Sequence, residues 1–299
     1  MNILVVGGNG FIGKHLVNKL TKQRNYKVYN LDLIASKNKD LSGNFKGDIK
    51  DANFLLKCVK EVQPDLVFYL ASFFPINNIE NISLSIRNSL ISLENLFNCL
   101  SPKTRLVYIG SSSQYGKVPS NFQPVNEHCE FFPVSHYGIF KIFEEYEIRR
   151  LANLYDVDVL GARVFNVTGS GEPSRMIGGA IISQLKNGNK IEVGNLDSKR
   201  DFLDVRDVAN AIAIIGLKGK SNEIYNVCSG KSVSIVKLLE LIIKESRLNP
   251  KIGIDKKKIN PNDINNLVGD NSKLLKELNW RIKYDIMSSV KELVKDIYL

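Results

Sequence analysis

Tyr137 and Lys141 stand four residues apart in a stretch that reads as a long helix, so their side chains share one face, a single turn from each other. A lysine ammonium beside a phenol favours the phenolate and suits the phenol to proton transfer. Such pairs also decorate solvated helix faces by chance. This one gains weight from Gly110-Ser111-Ser112-Ser113-Gln114-Tyr115-Gly116, which directly follows the apolar run Leu106 to Ile109. Residues at the carboxyl end of a central parallel strand point into a ligand crevice. From there the Ser111 hydroxyl can bond a carbonyl or alkoxide while Tyr137 moves its proton.

The second constellation lies at the amino end. After the apolar run Ile3 to Val6 comes Gly7-Gly8-Asn9-Gly10-Phe11-Ile12-Gly13, readable as GxGxxG from Gly8 or as GxxGxxG from Gly7. Either reading supplies a turn without Cβ, a close backbone approach to a pyrophosphate and tight packing of helix on strand. The phosphates then sit at the positive end of the helix. A loop of this kind following a strand and opening a helix predicts dinucleotide binding. Asp32 closes the second apolar run, 19 positions after Gly13, where a carboxylate accepts from the adenosine ribose hydroxyls and repels a 2′-phosphate. NAD(H) is therefore favoured, and NADP(H) stays open because Lys37 and Lys39 are near enough to attract a phosphate.

These residues need a scaffold, and the first half of the chain alternates short apolar runs with amphipathic segments. Strands are predicted over Ile3 to Val6, Lys27 to Asp32, Leu66 to Leu70, Leu106 to Ile109 and Val157 to Val164. Helices are predicted over Phe11 to Leu20, Asn53 to Val62, Leu84 to Leu100 and Tyr137 to Tyr155. That alternation implies right-handed crossovers and an α/β fold, a doubly wound parallel sheet covered on both faces. After Val164 glycine, asparagine and proline become frequent and the elements shorten, which implies a smaller mixed α/β lobe. Val205 to Leu217 with the strand Glu223 to Val227 returns to the sheet. The expected division is residues 1–165 plus about 204–228 for the dinucleotide domain, and about 166–203 plus 229–299 for the substrate lobe.

Composition narrows the class. The 299 residues are 43% hydrophobic and 24% charged, an ordinary globular balance. No run approaches a membrane span, and the start reads as a buried strand rather than a signal peptide, so a cytoplasmic enzyme is expected. The net charge is +10, from 41 basic and 31 acidic residues. The basic residues are scattered apart from the run Lys256-Lys257-Lys258, read as exposed; this speaks against nucleic acid and leaves a mildly positive field for a phosphate-bearing small molecule. Cys58, Cys99, Cys129 and Cys228 lie far apart, without a disulfide framework or a metal-ligand pair. His15 and His128 have no ligand partner, and no metal is expected.

The glycine loop, Ser111, Tyr137 and Lys141 together resemble the extended short-chain dehydrogenase/reductase family, over essentially the whole chain. The resemblance implies a Rossmann domain with a small C-terminal lobe that grips a nucleotide-diphosphate sugar. It implies Tyr137 as acid/base, Lys141 as its modulator and nicotinamide-ribose ligand, and Ser111 as the hydroxyl that orients the carbonyl. Asp48-Ile49 is similar to the family's adenine-contacting pair, Leu70-Ala71-Ser72 to its cofactor-contacting strand end, and Asn88 to an asparagine of its third helix. Asp48 as a plain turn former and Asn88 as a capping or surface residue are the alternatives. Asn9, Phe11 and Ile12 in the loop, Leu33 beside Asp32, and Val164 at a strand end complete the expected cofactor contacts.

The second half suggests the substrate. Arg163-Val164-Phe165-Asn166 resembles the family's RxFN segment, whose asparagine touches substrate. Arg200-Asp201-Phe202-Leu203-Asp204 resembles a segment whose arginine holds the nucleotide diphosphate, a task suited to a guanidinium fork. Surface pairing of Arg200 with Asp201 or Asp204 is the competing reading. Ser112 and Arg175 are further substrate candidates. Four stretches, among them Gly110 to Gly116 and Tyr225 to Ile235, are most similar to reductases of GDP-4-keto-6-deoxy-D-mannose that make GDP-D-rhamnose. Those resemble GSSEEYG where this chain has Ser113 and Gln114. A 4,6-dehydratase needs an acid near this position, so dehydration is not expected. Asn260-Pro261-Asn262-Asp263 stands where the family has RPxD, without its arginine. His136 precedes Tyr137 as a neighbour of the site. The expectation is a 4-ketoreductase of a nucleotide-activated 6-deoxyhexose, with an NAD-dependent 4-epimerase as the alternative. The resemblance also implies a homodimer through the Leu84 to Leu100 and Tyr137 to Tyr155 helices.

Overall fold

The computed structural model describes residues 1–73, 82–259 and 264–298. Its main sheet has seven strands, all paired in parallel: β1 (Asn2–Val6), β2 (Lys27–Asp32), β3 (Gly43–Lys46), β4 (Leu66–Tyr69), β5 (Arg105–Ser111), β6 (Asp158–Val164) and β10 (Ile224–Val227). The strand order is β10-β6-β5-β4-β1-β2-β3. The chain therefore leaves β1 first toward one edge and then, through β4, toward the other. Strand order reverses between β1 and β4, and the crevice outside their carboxyl ends is where such sheets take ligands.

Both faces of the sheet are covered. On one face, α1 (Phe11–Leu20) and α6 (Val205–Lys218) bury Leu16, Val17, Leu20, Val208 and Ile212 against Ile3, Val5 and Phe68. On the other, α2 (Ala52–Val62), α3 (Ile82–Cys99) and α4 (His136–Tyr155) bury Leu55, Leu93, Phe97, Ile148 and Leu151 against Leu4, Val6 and Tyr69. Successive strand residues point to opposite faces, so a strand sandwiched in this way is apolar throughout. All four residues of β4 are buried.

The predicted strands and helices are present with small shifts at their ends. β5 runs on through Gly110 and Ser111, so Ser111 belongs to the strand tip itself. β3 had no signature in the sequence. Its residues, Gly-Asn-Phe-Lys, alternate half-buried and exposed at the sheet edge, with one large apolar side chain to mark them.

Beyond β6 the elements shorten. A three-stranded sheet joins β7 (Asn166–Thr168), β9 (Lys199–Asp204) and β11 (Ser232–Ser234) in the order β11-β9-β7. A parallel pair joins β8 (Lys190–Val193) and β12 (Lys251–Ile254). Around them α5 (Ile177–Asn187), α7 (Ile235–Ser246) and α9 (Ile286–Lys295) share a separate apolar cluster built on Ile181, Leu185, Leu238, Ile242, Val290 and Leu293. The short α8 (Ser272–Leu278) returns to the main core through Leu274 and Leu278. Among the described residues no helix is long and apolar enough to cross a membrane.

Candidate active site

A cleft of about 710 Å³ opens at the carboxyl ends of β1, β4 and β5, and runs between the main sheet and the smaller sheets. Its floor is the glycine loop. Gly7 adopts φ of +82°, a left-handed conformation that side chains rarely tolerate, and a Cβ on Gly13 would lie 2.8 Å from the Gly8 Cα. The loop thus closes against the first turn of α1 and leaves backbone where a side chain would stand. A pyrophosphate fits such a cradle at a helix N-terminus. Gly7, Gly10, Phe11, Ile12 and Gly13 line it, with Leu70, Ala71 and Ser72 after β4 and Val164 at the end of β6.

Ser111, Ser112, Ser113, Tyr137 and Lys141 form the next wall. Two local devices bring them together. Ser135 caps α4, its hydroxyl accepting from the Gly138 N–H at 3.1 Å, and fixes where the first turn begins. Gly138 then packs so closely on the turn after β5 that a Cβ there would drive into the Ser113 carbonyl oxygen. Tyr137 is held beside the serines by that contact. Ser111 is 8% exposed, its N–H donating to Gln114 Oε1 at 2.7 Å and its hydroxyl accepting from the Ser113 N–H at 3.2 Å.

Behind this wall runs a buried polar network. Gln114 Nε2 donates to Glu145 at 2.9 Å, and Glu145 takes two bonds from Arg163, at 2.6 and 3.1 Å. Arg163 also donates to the Tyr115 hydroxyl at 3.0 Å, and that hydroxyl donates to Asn226 at 2.7 Å. The tips of β5, β6 and β10 are thereby tied to α4. Lys141 takes no part: its ammonium pairs with Glu144 at 2.5 Å, with both side chains buried. Burial by itself would lower the Lys141 ammonium, but the Glu144 charge, then Tyr137 and the bond to Glu144, hold it above the ordinary lysine value.

At the far end of the cleft stand Asn166, Glu172, Arg175, Asn195, Arg200 and Lys258. Arg200 donates to the carbonyls of Lys199, at 2.8 Å, and Ile264, at 2.5 Å. Asp201 and Asp204 have other commitments, Asp201 to the N–H groups of Ser229, Gly230 and Gly269, and Asp204 to Arg206.

The remaining expected cofactor residues lie outside the cleft walls. Asp32 accepts from the Asn9 N–H at 2.9 Å, which ties the end of β2 to the glycine loop. Leu33 is exposed. Asp48 forms a turn with Lys50, and Ile49 is buried with its carbonyl bonded to Asn95. Asn88 is half-buried on α3, its carbonyl accepting from Ser92. His136 is exposed and off the walls. The segment Asn260-Pro261-Asn262-Asp263 lies outside the described residues.

Lys258 and Glu172 are among the wall residues that escaped the sequence reading. Lys258 belongs to a run read as exposed surface; it is exposed, yet it also lines the cleft and donates to the Glu192 carbonyl at 2.9 Å. Glu172 accepts from the Thr168 hydroxyl and the Gly178 N–H, both at 2.8 Å, and so joins β7 to the first turn of α5. Burial pushes its carboxyl up to about 7 against those bonds. A carboxylate just ahead of an apolar helical run was the signal that could have marked it. Among the described residues no cluster could hold a metal ion.

The chain is 27% identical to a GDP-6-deoxy-D-talose 4-dehydrogenase of Aggregatibacter actinomycetemcomitans, over all of this chain and 97% of that protein. It is 27% identical to a GDP-6-deoxy-D-mannose reductase of Pseudomonas aeruginosa, over 98% of this chain and 96% of the relative. In three dimensions it superposes on RMD from Pseudomonas aeruginosa, solved in complex with NADPH, with a TM-score of 0.86 at 24% identity over 99% of both chains. The family described as NAD dependent epimerase/dehydratase matches residues 3–228, from the first strand through the last strand of the main sheet. With glycine loop, serine, tyrosine and lysine gathered on one cleft, the chain belongs to the NAD dependent epimerase/dehydratase family.

Proposed function

We propose that this chain is a nicotinamide-dependent reductase of the 4-keto group of a nucleotide-activated 6-deoxyhexose, with GDP-4-keto-6-deoxy-D-mannose as substrate and GDP-D-rhamnose as product, serving surface polysaccharide synthesis. The observation that carries the reading is the shared wall of Ser111, Tyr137 and Lys141 between a pyrophosphate cradle and a cationic far end. Two relatives named for GDP-6-deoxyhexoses support the GDP choice.

The reduced nicotinamide, when bound, supplies a hydride to C4 of the sugar. The chain does the rest. The glycine loop takes the dinucleotide pyrophosphate, and Asp32 with Asn9 and Leu33 lies toward its adenosine end, with Asp48 and Ile49 beyond. NAD(H) is favoured by the Asp32 carboxylate, and NADP(H) remains an alternative. Lys141 donates to the nicotinamide ribose and keeps positive charge beside Tyr137. Ser111 donates to the ketone oxygen and fixes its position. As negative charge develops there, Tyr137 gives up its hydroxyl proton and the alkoxide becomes an alcohol. Arg200, Arg175 and Lys258 place cations around the diphosphate, and Asn166 and Ser112 contact the sugar.

In this reading, residues 1–165 with 204–228 hold the dinucleotide, and residues 166–203 with 229–299 hold the sugar nucleotide. The enzyme works in the cytoplasm as a homodimer through α3 and α4. Dehydration does not fit. Of the two positions lacking the expected carboxylates, Ser113 lines the cleft and Gln114 is buried behind it. An acid able to reach the sugar belongs at 113, and a serine stands there.

The deciding experiment mixes purified protein with freshly generated GDP-4-keto-6-deoxy-D-mannose and follows the loss of NADH or NADPH absorbance in separate runs. Rapid oxidation that Tyr137→Phe abolishes is expected, and the product's configuration at C4 separates GDP-D-rhamnose from its talose epimer. Turnover of a nucleotide sugar without consumption of added cofactor would instead establish a 4-epimerase, which needs the same three groups and which a tightly held NAD at Asp32 favours.

A further inference from the structure

Lys141 is buried almost completely, an unfavourable place for an ammonium without a partner. Its partner is Glu144, three residues on along α4, and the two side chains are only 7% and 3% exposed. Glu144 is itself fixed from the neighbouring helix, its second oxygen accepting from the Ser89 hydroxyl of α3 at 2.8 Å. The carboxylate thus has one oxygen on each helix and cannot leave Lys141 without losing its bond across the α3–α4 seam.

We propose that Glu144 is the positioning residue of the site: it holds the Lys141 ammonium at the cleft wall, keeps it charged in a buried setting, and so supplies Tyr137 with a permanent positive neighbour. The consequence for Tyr137 rests on the proton-transfer role given above; the hold on Lys141 does not.

The surrounding charges leave this task to Glu144. On α4 itself, Tyr137 and Glu145 also face Lys141, but Glu145 is spent on two bonds from Arg163 of β6 and one from Gln114. From β4, the buried Tyr69 phenol feels the Glu144 charge and is raised by burial and by that charge, so it stays neutral and cannot replace the carboxylate. From β5, Tyr108 is likewise raised by burial and by Glu145. Across the seam, α3 presents the uncharged Ser85, Ser89 and Ser92. Removing the Glu144 charge therefore leaves a desolvated ammonium whose one other nearby carboxylate among the described residues, Glu145, is already satisfied.

The test uses the whole protein with isotopically labelled lysine side chains. The Lys141 resonance is assigned by its loss in Lys141→Arg, then followed against pH by nuclear magnetic resonance. In the parent protein Lys141 should stay charged beyond the range of surface lysines. In Glu144→Gln it should lose its proton at least about two pH units lower, and in Glu144→Asp, which keeps the charge but shortens its reach, the midpoint should fall in between. NADH binding, followed by its fluorescence, should weaken with rising pH in Glu144→Gln at pH values where the parent is flat. Should Glu144→Gln fail to fold, Glu144→Asp carries the same measurement, with a midpoint below the parent's. A Lys141 midpoint within about half a pH unit of the parent in the folded variant would overturn the proposal, since a partner that sets the charge must move it. The readout needs no sugar substrate. Turnover surviving Tyr137→Phe would remove the proton-transfer reading and leave the Lys141 titration standing.

Discussion

Gln114 closes on Ser111 from behind: its Oε1 accepts the Ser111 N–H at 2.7 Å while its Nε2 donates to Glu145 at 2.9 Å. The side chain is wholly buried, so both of its bonds form away from solvent. The strand tip that carries the Ser111 hydroxyl is therefore held by the same buried network that fixes α4 and its tyrosine.

Gln114→Ala should cost both stability and rate. It leaves the buried Ser111 N–H without its acceptor, at about 1–3 kcal/mol, and removes one of the three bonds to Glu145, whose two from Arg163 remain. Ser111 would lose its anchor and the ketone its alignment, and kcat should fall roughly 10- to 100-fold, with much less change in KM. Thermal melts and steady-state kinetics check this. An unchanged kcat in a folded variant would mean that Ser111 is placed without Gln114.

Much of this arrangement was legible in the residues and part of it was not. The glycine loop, the strands and the Tyr137/Lys141 face follow from local pattern, because a buried parallel strand must be apolar throughout and a helix repeats every turn. The cleft brings Ser111, Tyr137, Lys141, Asn166, Arg175 and Arg200 onto common walls. Edge strand β3 escaped because only one face of it is covered, and Phe45 alone gave no periodicity. Glu144, Glu145 and Glu172 escaped for a different reason. Charged residues in a linear chain read as solvent-facing, and their burial depends on partners brought from other elements: Ser89, Arg163 and Thr168.

Gly13→Ala tests the floor of the cleft. The new Cβ would lie 2.8 Å from the Gly8 Cα and closer still to the Gly7 carbonyl, both backbone atoms that cannot swing aside. The loop must open, and a pyrophosphate would then lose its row of N–H donors. Dissociation constants for NADH should rise at least tenfold, roughly 1.4 kcal/mol or more. Titration of nicotinamide fluorescence measures the change, and parent-like affinity would place the dinucleotide elsewhere.

Arg200→Met and Lys258→Met probe the far end of the cleft. Arg200 lies against the carbonyls of Lys199 and Ile264, so its guanidinium is held in place before any ligand arrives. Lys258 is exposed and less constrained. A charge-assisted bond to phosphate contributes about 1.5–3 kcal/mol, so Arg200→Met should weaken GDP binding roughly 10- to 100-fold. Lys258→Met should have a smaller effect that fades as salt is added, as for an exposed charge. Calorimetry with GDP, and with UDP as the comparison, reads both. Equal binding in all three proteins would move the diphosphate away from these cations.

Glu172 makes stability depend on pH in a direction opposite to most acidic groups. Its carboxyl is buried and pushed up to about 7, from an ordinary value of 4.5, with burial as the largest cause. A carboxyl raised in this way favours its protonated form in the folded chain. The stabilisation is complete below pH 4.5 and is lost as pH rises through about 7. The difference amounts to ~3 kcal/mol. Glu172→Gln stays neutral throughout, and its amide can still accept from the Gly178 N–H. Relative to the parent, its melting temperature should therefore climb as pH rises from 5 to 8, by roughly 5–10 °C. The anchor between β7 and α5 flanks Asn166 and Arg175, so KM for the sugar nucleotide should lose its pH dependence over the same interval while kcat keeps its own. Parallel melting curves for the two proteins across that range would show that Glu172 is already ionised at pH 5, and that the Thr168 and Gly178 bonds outweigh its burial.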